Sequence, residues 1–144
     1  EPLGVKNIKL VHGSLIDPFL PTESMDLVLL VDVYHEFSHP EHMLAAIRKS
    51  LKPDGRVVLV EFRGEDLQVP IQPLHKMTKK QVLRELEPNG FKLVEEYNEL
   101  PWQHMLFFGR DPDFHEPTAE ETTSEAKSDN ANPARSEESK REQP

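Results

Sequence analysis

Residues 26–62, DLVLLVDVYHEFSHPEHMLAAIRKSLKPDGRVVLVEF, contain the clearest folding signals of the chain. Two runs rich in valine and leucine, DLVLLVDV and RVVLVEF, predict strands that are buried on both faces. Between them, Met43, Leu44, Ile47 and Leu51 follow a helical period and predict an amphipathic helix. The order strand, helix, strand predicts a parallel pair joined by a right-handed crossover.

The pentad HEFSH at residues 35–39 matches the H-E-x-x-H pattern, in which two histidines of one helix bind zinc and the glutamate acts as a base. That geometry requires a continuous helix. Here Pro40 follows His39 and favours extended backbone before it, while a strand ends just before His35. A zinc hydrolase is therefore the least favoured function, and no metal is expected.

The remaining elements have shorter signals. Residues 7–13, NIKLVHG, predict a strand that precedes the two described above. Ser38 and Glu41 fit a capping box for the first helix, and Thr78 with Gln81 fits a capped start for a second one. We therefore expect the order β, β, α, β, α, followed by two final strands.

The last two apolar runs, FKLVEEY at residues 91–97 and QHMLFFG at 103–109, are close in sequence and predict an antiparallel hairpin. Together with the alternating strands and helices they indicate an α/β fold with a mainly parallel sheet. Residues 1–110 would form this domain. Residues 111–144 contain no leucine, isoleucine or valine and predict a disordered acidic tail of low complexity.

Charge and composition restrict the partners. The chain carries a net charge of −9, but the tail holds ten of the 26 acids and four of the 17 bases, which leaves −3 for residues 1–110. This gives no basic surface for nucleic acid or for anionic membranes. Cysteine is absent and no apolar run would span a membrane, so a cytoplasmic protein is the simplest expectation. The sequence does not specify the oligomeric state.

The turn after the first helix, with Leu51, Lys52, Pro53 and Gly55 in the pattern L-K-P-x-G, lies between two buried strands. Together with the acid before the first of these strands and the histidine after it, this segment resembles the middle of class I S-adenosylmethionine-dependent methyltransferases. MTKKQVLRELEPNGFKLVE, residues 77–95, is similar to the next helix and strand of that family. The resemblance implies a Rossmann-like sheet, S-adenosylmethionine as cofactor, and methyl transfer to a small-molecule acceptor.

The same resemblance shows what the chain lacks. The family's first strand ends in a glycine-rich loop that receives the cofactor, and no glycine cluster occurs here. The chain would therefore begin just before the family's third strand, as a domain truncated at its N-terminus. We expect such a chain to expose apolar faces and to bind the cofactor weakly on its own.

Site residues follow from the positions that match the family. In open α/β sheets, ligands bind beyond the carboxyl ends of the strands. One such loop has Ser14 where the family commonly has an acid for the adenine. The expected cofactor-binding residues are Gly13, Ser14, Leu15, Asp32, Val33 and Tyr34.

His35 is the expected catalytic base or acceptor-orienting group, with Glu36 second, because histidine exchanges protons near neutral pH. His75, Trp102 and His104 are expected to bind the substrate, although each could equally be a structural residue. A three-histidine metal site formed by His35, His75 and His104 is possible, but no spacing selects it. The alternative to an enzyme is a methyltransferase-like module that binds a ligand without turnover.

Overall fold

The computed structural model describes residue 4 and residues 6–116 of the 144. One compact unit spans Glu1–Phe114. A second unit, His115–Pro144, lies almost wholly outside the described residues, and so does most of the expected tail. The strands are β1 (Met25–Val31), β2 (Leu51–Arg63), β3 (Lys76–Met77), β4 (Phe91–Tyr97) and β5 (Gln103–Arg110), and the α-helices are α1 (Pro40–Ser50) and α2 (Lys79–Leu86).

The five strands form one mixed sheet with the order β1-β2-β5-β4, and β3 pairs with the end of β2. β1 and β3 run parallel to β2, whereas β5 is antiparallel to both β2 and β4. The predicted α/β class, with a parallel crossover and a terminal antiparallel hairpin, is confirmed. Each predicted strand from residue 26 onward lies within about two residues of an observed one, except that β2 begins earlier, at Leu51.

The L-K-P-x-G segment joins α1 to the sheet. Lys52 Nζ lies 2.7 Å from Asp26 Oδ1, so the turn is tied to the start of β1 by an ion pair. A Cβ on Gly55 would lie 2.7 Å from the carbonyl oxygen of Met25, which leaves room for glycine only. The turn is continuous with β2. The register between β1 and β2 shifts between Met25 and Leu27, at the start of β1.

Helix α1 covers one face of β1 and β2 with the predicted apolar residues, of which Leu44 and Ile47 are fully buried. The capping box predicted for this helix is wrong. The N-cap residue is His39, which makes no side-chain cap, and Ser38 Oγ is hydrogen-bonded to His39 Nδ1 at 3.1 Å instead. Pro40, with its fixed φ, is the first helical residue.

The strand predicted at residues 7–13 is wrong. This segment is irregular and exposed, because β1 pairs only with β2 and none of the described strands lies beside residues 7–13. The prediction that β1 is buried on both faces is also wrong. Leu27, Leu29 and Val31 are about half exposed, while Val28 and Leu30 on the opposite face pack against the core. The expected exposure of apolar surface is thereby observed.

The second helix starts as predicted, since Thr78 Oγ1 accepts a hydrogen bond from the Gln81 N–H at 3.0 Å. A short 3₁₀ turn, Glu87–Asn89, ends at Gly90, whose φ is +80°. Arg48 donates a hydrogen bond to the Gly90 carbonyl and lies 4.8 Å above the ring of Phe114. The chain thus remains packed on the domain up to Phe114.

Candidate functional site

His35 is held by a buried carboxylate at the carboxyl end of the parallel strands. It lies in a 3₁₀ turn, Tyr34–Glu36, that follows β1, and its Nδ1 is 2.7 Å from Glu61 Oε2 of β2. Only 8% of the His35 side chain and none of the Glu61 side chain is exposed. A carboxylate accepts here, so Nδ1 is the donor, and in the neutral form of the ring Nε2 then presents a lone pair.

Glu61 also fixes the backbone of this turn. Its Oε1 accepts a hydrogen bond from the Tyr34 N–H at 2.9 Å, so both carboxylate oxygens have donors. The buried carboxylate is therefore satisfied by two hydrogen bonds, one from the backbone of Tyr34 and one from the ring of His35. Glu61 was missed in the sequence, although a single acid inside the apolar strand VVLVEF was a usable signal, because buried acids are rare unless paired.

Tyr34 connects this turn to α2. Its ring is buried against the ring of Phe37, and its hydroxyl donates to Glu85 Oε2 at 2.9 Å. Burial, with the Glu85 carboxylate beside the phenol, raises the pKa of Tyr34 far above its usual value. Its hydroxyl is therefore already engaged with Glu85, and its expected contact with the cofactor stays a prediction.

Two more side chains converge on His35. Its Nε2 lies 3.2 Å from His75 Nδ1 and 3.3 Å from Glu36 Oε1, and His75 Nδ1 is 3.5 Å from the same Glu36 oxygen. His75 ends a 3₁₀ turn that leads into β3, and the pairing of β3 with β2 places it there. The structure thus brings together the two expected catalytic residues and one expected substrate residue.

The end of β1 has an incompletely satisfied carboxylate. Asp32 adopts a left-handed backbone with φ +50°, and its Oδ2 lies 3.3 Å from Gln103 Nε2. Its Oδ1 is buried and has no hydrogen-bond partner among residues 6–116. An acceptor of this kind fits a ligand hydroxyl or amino group. Asp32 was expected to contact the cofactor.

A cavity of about 340 Å³ lies beside this strand, between residues 11–20 and the α1 side of the sheet. Gly13, Ser14 and Val33 line it, and apolar side chains of β1 and α1 form its floor. Ser14 Oγ accepts a hydrogen bond from the Asp17 N–H at 3.0 Å, so this hydroxyl is engaged in its own turn. Leu15 is exposed and does not line the cavity.

The other predicted substrate residues lie elsewhere. His104 is buried in β5, and its Nε2 has no hydrogen-bond partner in the described part of the chain. Burial lowers the pKa of His104. Trp102 is half exposed and precedes β5, and its carbonyl accepts a hydrogen bond from the Arg63 N–H. Neither belongs to the cluster around His35.

The two histidines of the H-E-x-x-H pattern do not lie together. The ring of His39 packs against that of His42, with centroids 6.1 Å apart, whereas the ring of His35 contacts His75. Within residues 6–116, the group of side chains close enough to share a metal ion consists of His35, Glu36 and His75 and excludes His39. None of the helices in that range is long and apolar enough to cross a membrane.

Comparisons with known proteins agree with this architecture. Residues 1–59 match the family model described as "Methyltransferase domain". A search of curated proteins finds no match. An S-adenosylmethionine-dependent methyltransferase from Aquifex aeolicus superimposes with a TM-score of 0.67 and 19% identity, over 74% of this chain and 56% of the other.

Two further structures extend the comparison. The PH0226 protein from Pyrococcus horikoshii has a TM-score of 0.58 and 14% identity over 72% of this chain and 60% of its own. A methyltransferase from Mesorhizobium loti has a TM-score of 0.53 and 14% identity over 68% and 67%. At such identities the likeness concerns the fold. The chain spans little more than half the length of the Aquifex and Pyrococcus proteins.

Proposed function

We propose, on the premise that this chain has the fold of class I S-adenosylmethionine-dependent methyltransferases, that it serves methyl transfer to a small-molecule acceptor with His35 as the base. The resemblance seen in the sequence is confirmed by the family model and by the fold. One observation carries the choice of residue: Glu61 holds His35 by its Nδ1, which leaves Nε2 toward His75 and Glu36.

The protein's part in such a reaction is alignment and proton removal. S-adenosylmethionine, when bound, supplies an activated methyl group whose carbon–sulfur bond breaks as the bond to an acceptor oxygen or nitrogen forms. His35 Nε2 would take the proton that the acceptor loses, and Glu61 would stabilise the resulting imidazolium through Nδ1. Glu61 is thus a positioning residue, and Glu36 would orient the acceptor.

The proposed cofactor-binding site consists of Asp32 and the neighbouring cavity. The unpartnered Asp32 Oδ1 and the cavity lined by Gly13, Ser14 and Val33 fit a ligand that offers hydroxyl or amino donors. His75 lies beside His35 and would face the acceptor. For Leu15, Tyr34, Trp102 and His104 the surroundings add no support, so their predicted ligand contacts remain predictions.

The test measures formation of S-adenosylhomocysteine by the natural protein at full length, with small phenols, amines, carboxylic acids and thiols as acceptors. We expect His35→Gln to lower kcat by about 10²–10⁴-fold and to leave cofactor affinity unchanged. His42→Gln is the matched control, since His42 is an exposed histidine of α1 outside the cluster. Full turnover by the His35 variant would show that His35 is not the base.

A non-catalytic binding module remains the second candidate. The engagement of the Ser14 hydroxyl within its own turn favours it. Calorimetric titration of S-adenosylmethionine separates the two. Binding by the full-length protein supports the enzyme, whereas no binding to it favours the module.

A further inference from the structure

The geometry points to a binding site for a divalent transition-metal ion, with zinc preferred, formed by His35 Nε2, His75 Nδ1 and Glu36 Oε1. This is a different site from the H-E-x-x-H pair, because the second histidine is His75 and not His39. The three-histidine site considered from the sequence paired His35 and His75 with His104, whereas here Glu36 is the third donor and His104 lies elsewhere. The proposal of this metal site depends on the geometry of the three donor atoms and not on methyl transfer.

The distances between the donors fit a tetrahedral ion. Zinc bonds of about 2.0–2.1 Å to nitrogen or oxygen, at tetrahedral angles, separate two ligand atoms by about 3.3–3.4 Å, against about 2.8–3.0 Å for a right angle. The three observed separations are 3.2, 3.3 and 3.5 Å. Two imidazoles and one carboxylate, with a fourth position left open, form a donor set that zinc uses at reactive sites.

The cluster offers more hydrogen-bond acceptors than donors, which favours the binding of a cation. With the proton of His35 on Nδ1, its Nε2 is an acceptor, and so is the Glu36 carboxylate. His75 satisfies these acceptors only in the tautomer with its proton on Nδ1; with the proton on Nε2, as metal binding requires, Nδ1 is a third acceptor. A metal ion placed among the three atoms accepts a lone pair from each of them, which removes the repulsion between the acceptors.

A buried carboxylate, that of Glu61, orients His35 as a ligand. Metal-bound histidines usually donate their other N–H to a carboxylate, which fixes the ring and raises its basicity. Glu61 does this for His35 at 2.7 Å and is itself fully buried. Lys76, the nearest cation in sequence, directs its Nζ to the carbonyl oxygens of Asp66 and Val69 at 3.2 and 2.6 Å, so its charge is engaged in the loop.

The site has access to ligands. The side chains of Glu36 and His75 are 63% and 50% exposed, while His35 is the buried member beneath them. A cavity of about 220 Å³, lined in part by His35, Leu74 and Met77, adjoins the cluster. The open fourth position would therefore take water or the oxygen, nitrogen or sulfur atom of a small ligand.

The test titrates Zn²⁺ and Co²⁺ into the full 144-residue chain after removal of metal by a chelator. We expect one equivalent to bind, and Co²⁺ to give the intense visible absorption of tetrahedral coordination. Both His75→Ala and Glu36→Gln remove an exposed ligand without disturbing the core, and each should weaken binding about 100-fold. Glu61→Gln should weaken it about 10–100-fold through His35. His42→Ala, which removes an exposed histidine beside Glu41, should change nothing.

Two results would overturn the inference: absence of stoichiometric binding, or binding that the His75 and Glu36 variants leave unchanged. Urea unfolding of each variant in chelator shows whether it is folded. A bound ion would occupy the same lone pair that the proposed base uses. Metal binding is measured directly and methyl transfer by its product, so failure of one proposal is distinguishable from failure of the other.

Discussion

Replacing Glu61 with glutamine tests the central contact of the structure, the carboxylate that binds both the Tyr34 N–H and His35 Nδ1. Glutamine keeps an acceptor oxygen for one donor, and its N–H group opposes the other unless the His35 ring moves its own proton to Nε2. Loss of the hydrogen bonds to a charged carboxylate, with or without that shift, should destabilise the domain by about 1–3 kcal/mol. Glu61→Ala leaves both donors unsatisfied and opens a cavity, and should cost about 3–5 kcal/mol.

The assay is urea unfolding followed by circular dichroism, in the presence of chelator so that no metal contributes. With a slope of about 1.5 kcal/mol/M, the glutamine variant should unfold at a midpoint about 0.7–2 M lower. Glu36→Gln is the matched control. It neutralises an exposed acid of the same cluster and should change stability by less than about 0.5 kcal/mol. A Glu61→Gln protein as stable as the wild type would refute the view that this carboxylate is ionised and holds the turn.

Three further outcomes are expected. Because burial lowers the pKa of His104, the unfolded chain takes up a proton that the folded chain resists, so stability should fall by up to about 1.4 kcal/mol per pH unit below about 6.5. The urea midpoint of His104→Gln should lack this component between about pH 7.5 and 5.5, and an unchanged slope would contradict the assignment. Gly90→Ala should cost about 1–2 kcal/mol in thermal unfolding, because φ is +80° there, and a neutral effect would mean that this backbone relaxes. Thr78→Ala should cost about 1 kcal/mol through loss of the cap to Gln81, whereas Thr78→Ser should retain it.

Those parts of the fold that depend on local signals could be predicted from the sequence. The hairpin of β4 and β5 follows from two apolar runs close in sequence, and the start of α2 follows from a threonine cap. The parallel pairing of β1 and β2 follows from the crossover through α1. In each case the residues that specify the element are close in sequence and need no information from the rest of the chain.

The errors concern features that depend on neighbours. Residues 7–13 have the composition of a strand, but a strand exists only where another strand satisfies its backbone groups. Ser38 has the spacing of a helix cap, yet its hydroxyl bonds the adjacent His39 ring. The meeting of His35 with Glu61 and His75 joins residues 26 and 40 positions apart, and only the pairing of β2 with β1 and β3 brings them together.

The open face of β1 connects the fold with the question of cofactor binding. A continuous apolar run predicts cover on both faces, and within residues 6–116 only the face with Val28 and Leu30 has it, whereas Leu27 and Leu29 remain about half exposed. Asp32 follows directly on this strand, next to the half-exposed Val31. With this face open, we expect the 144-residue chain to bind S-adenosylmethionine only weakly. Calorimetric titration would decide this, and tight, saturable binding would show that the described residues already form a complete cofactor site.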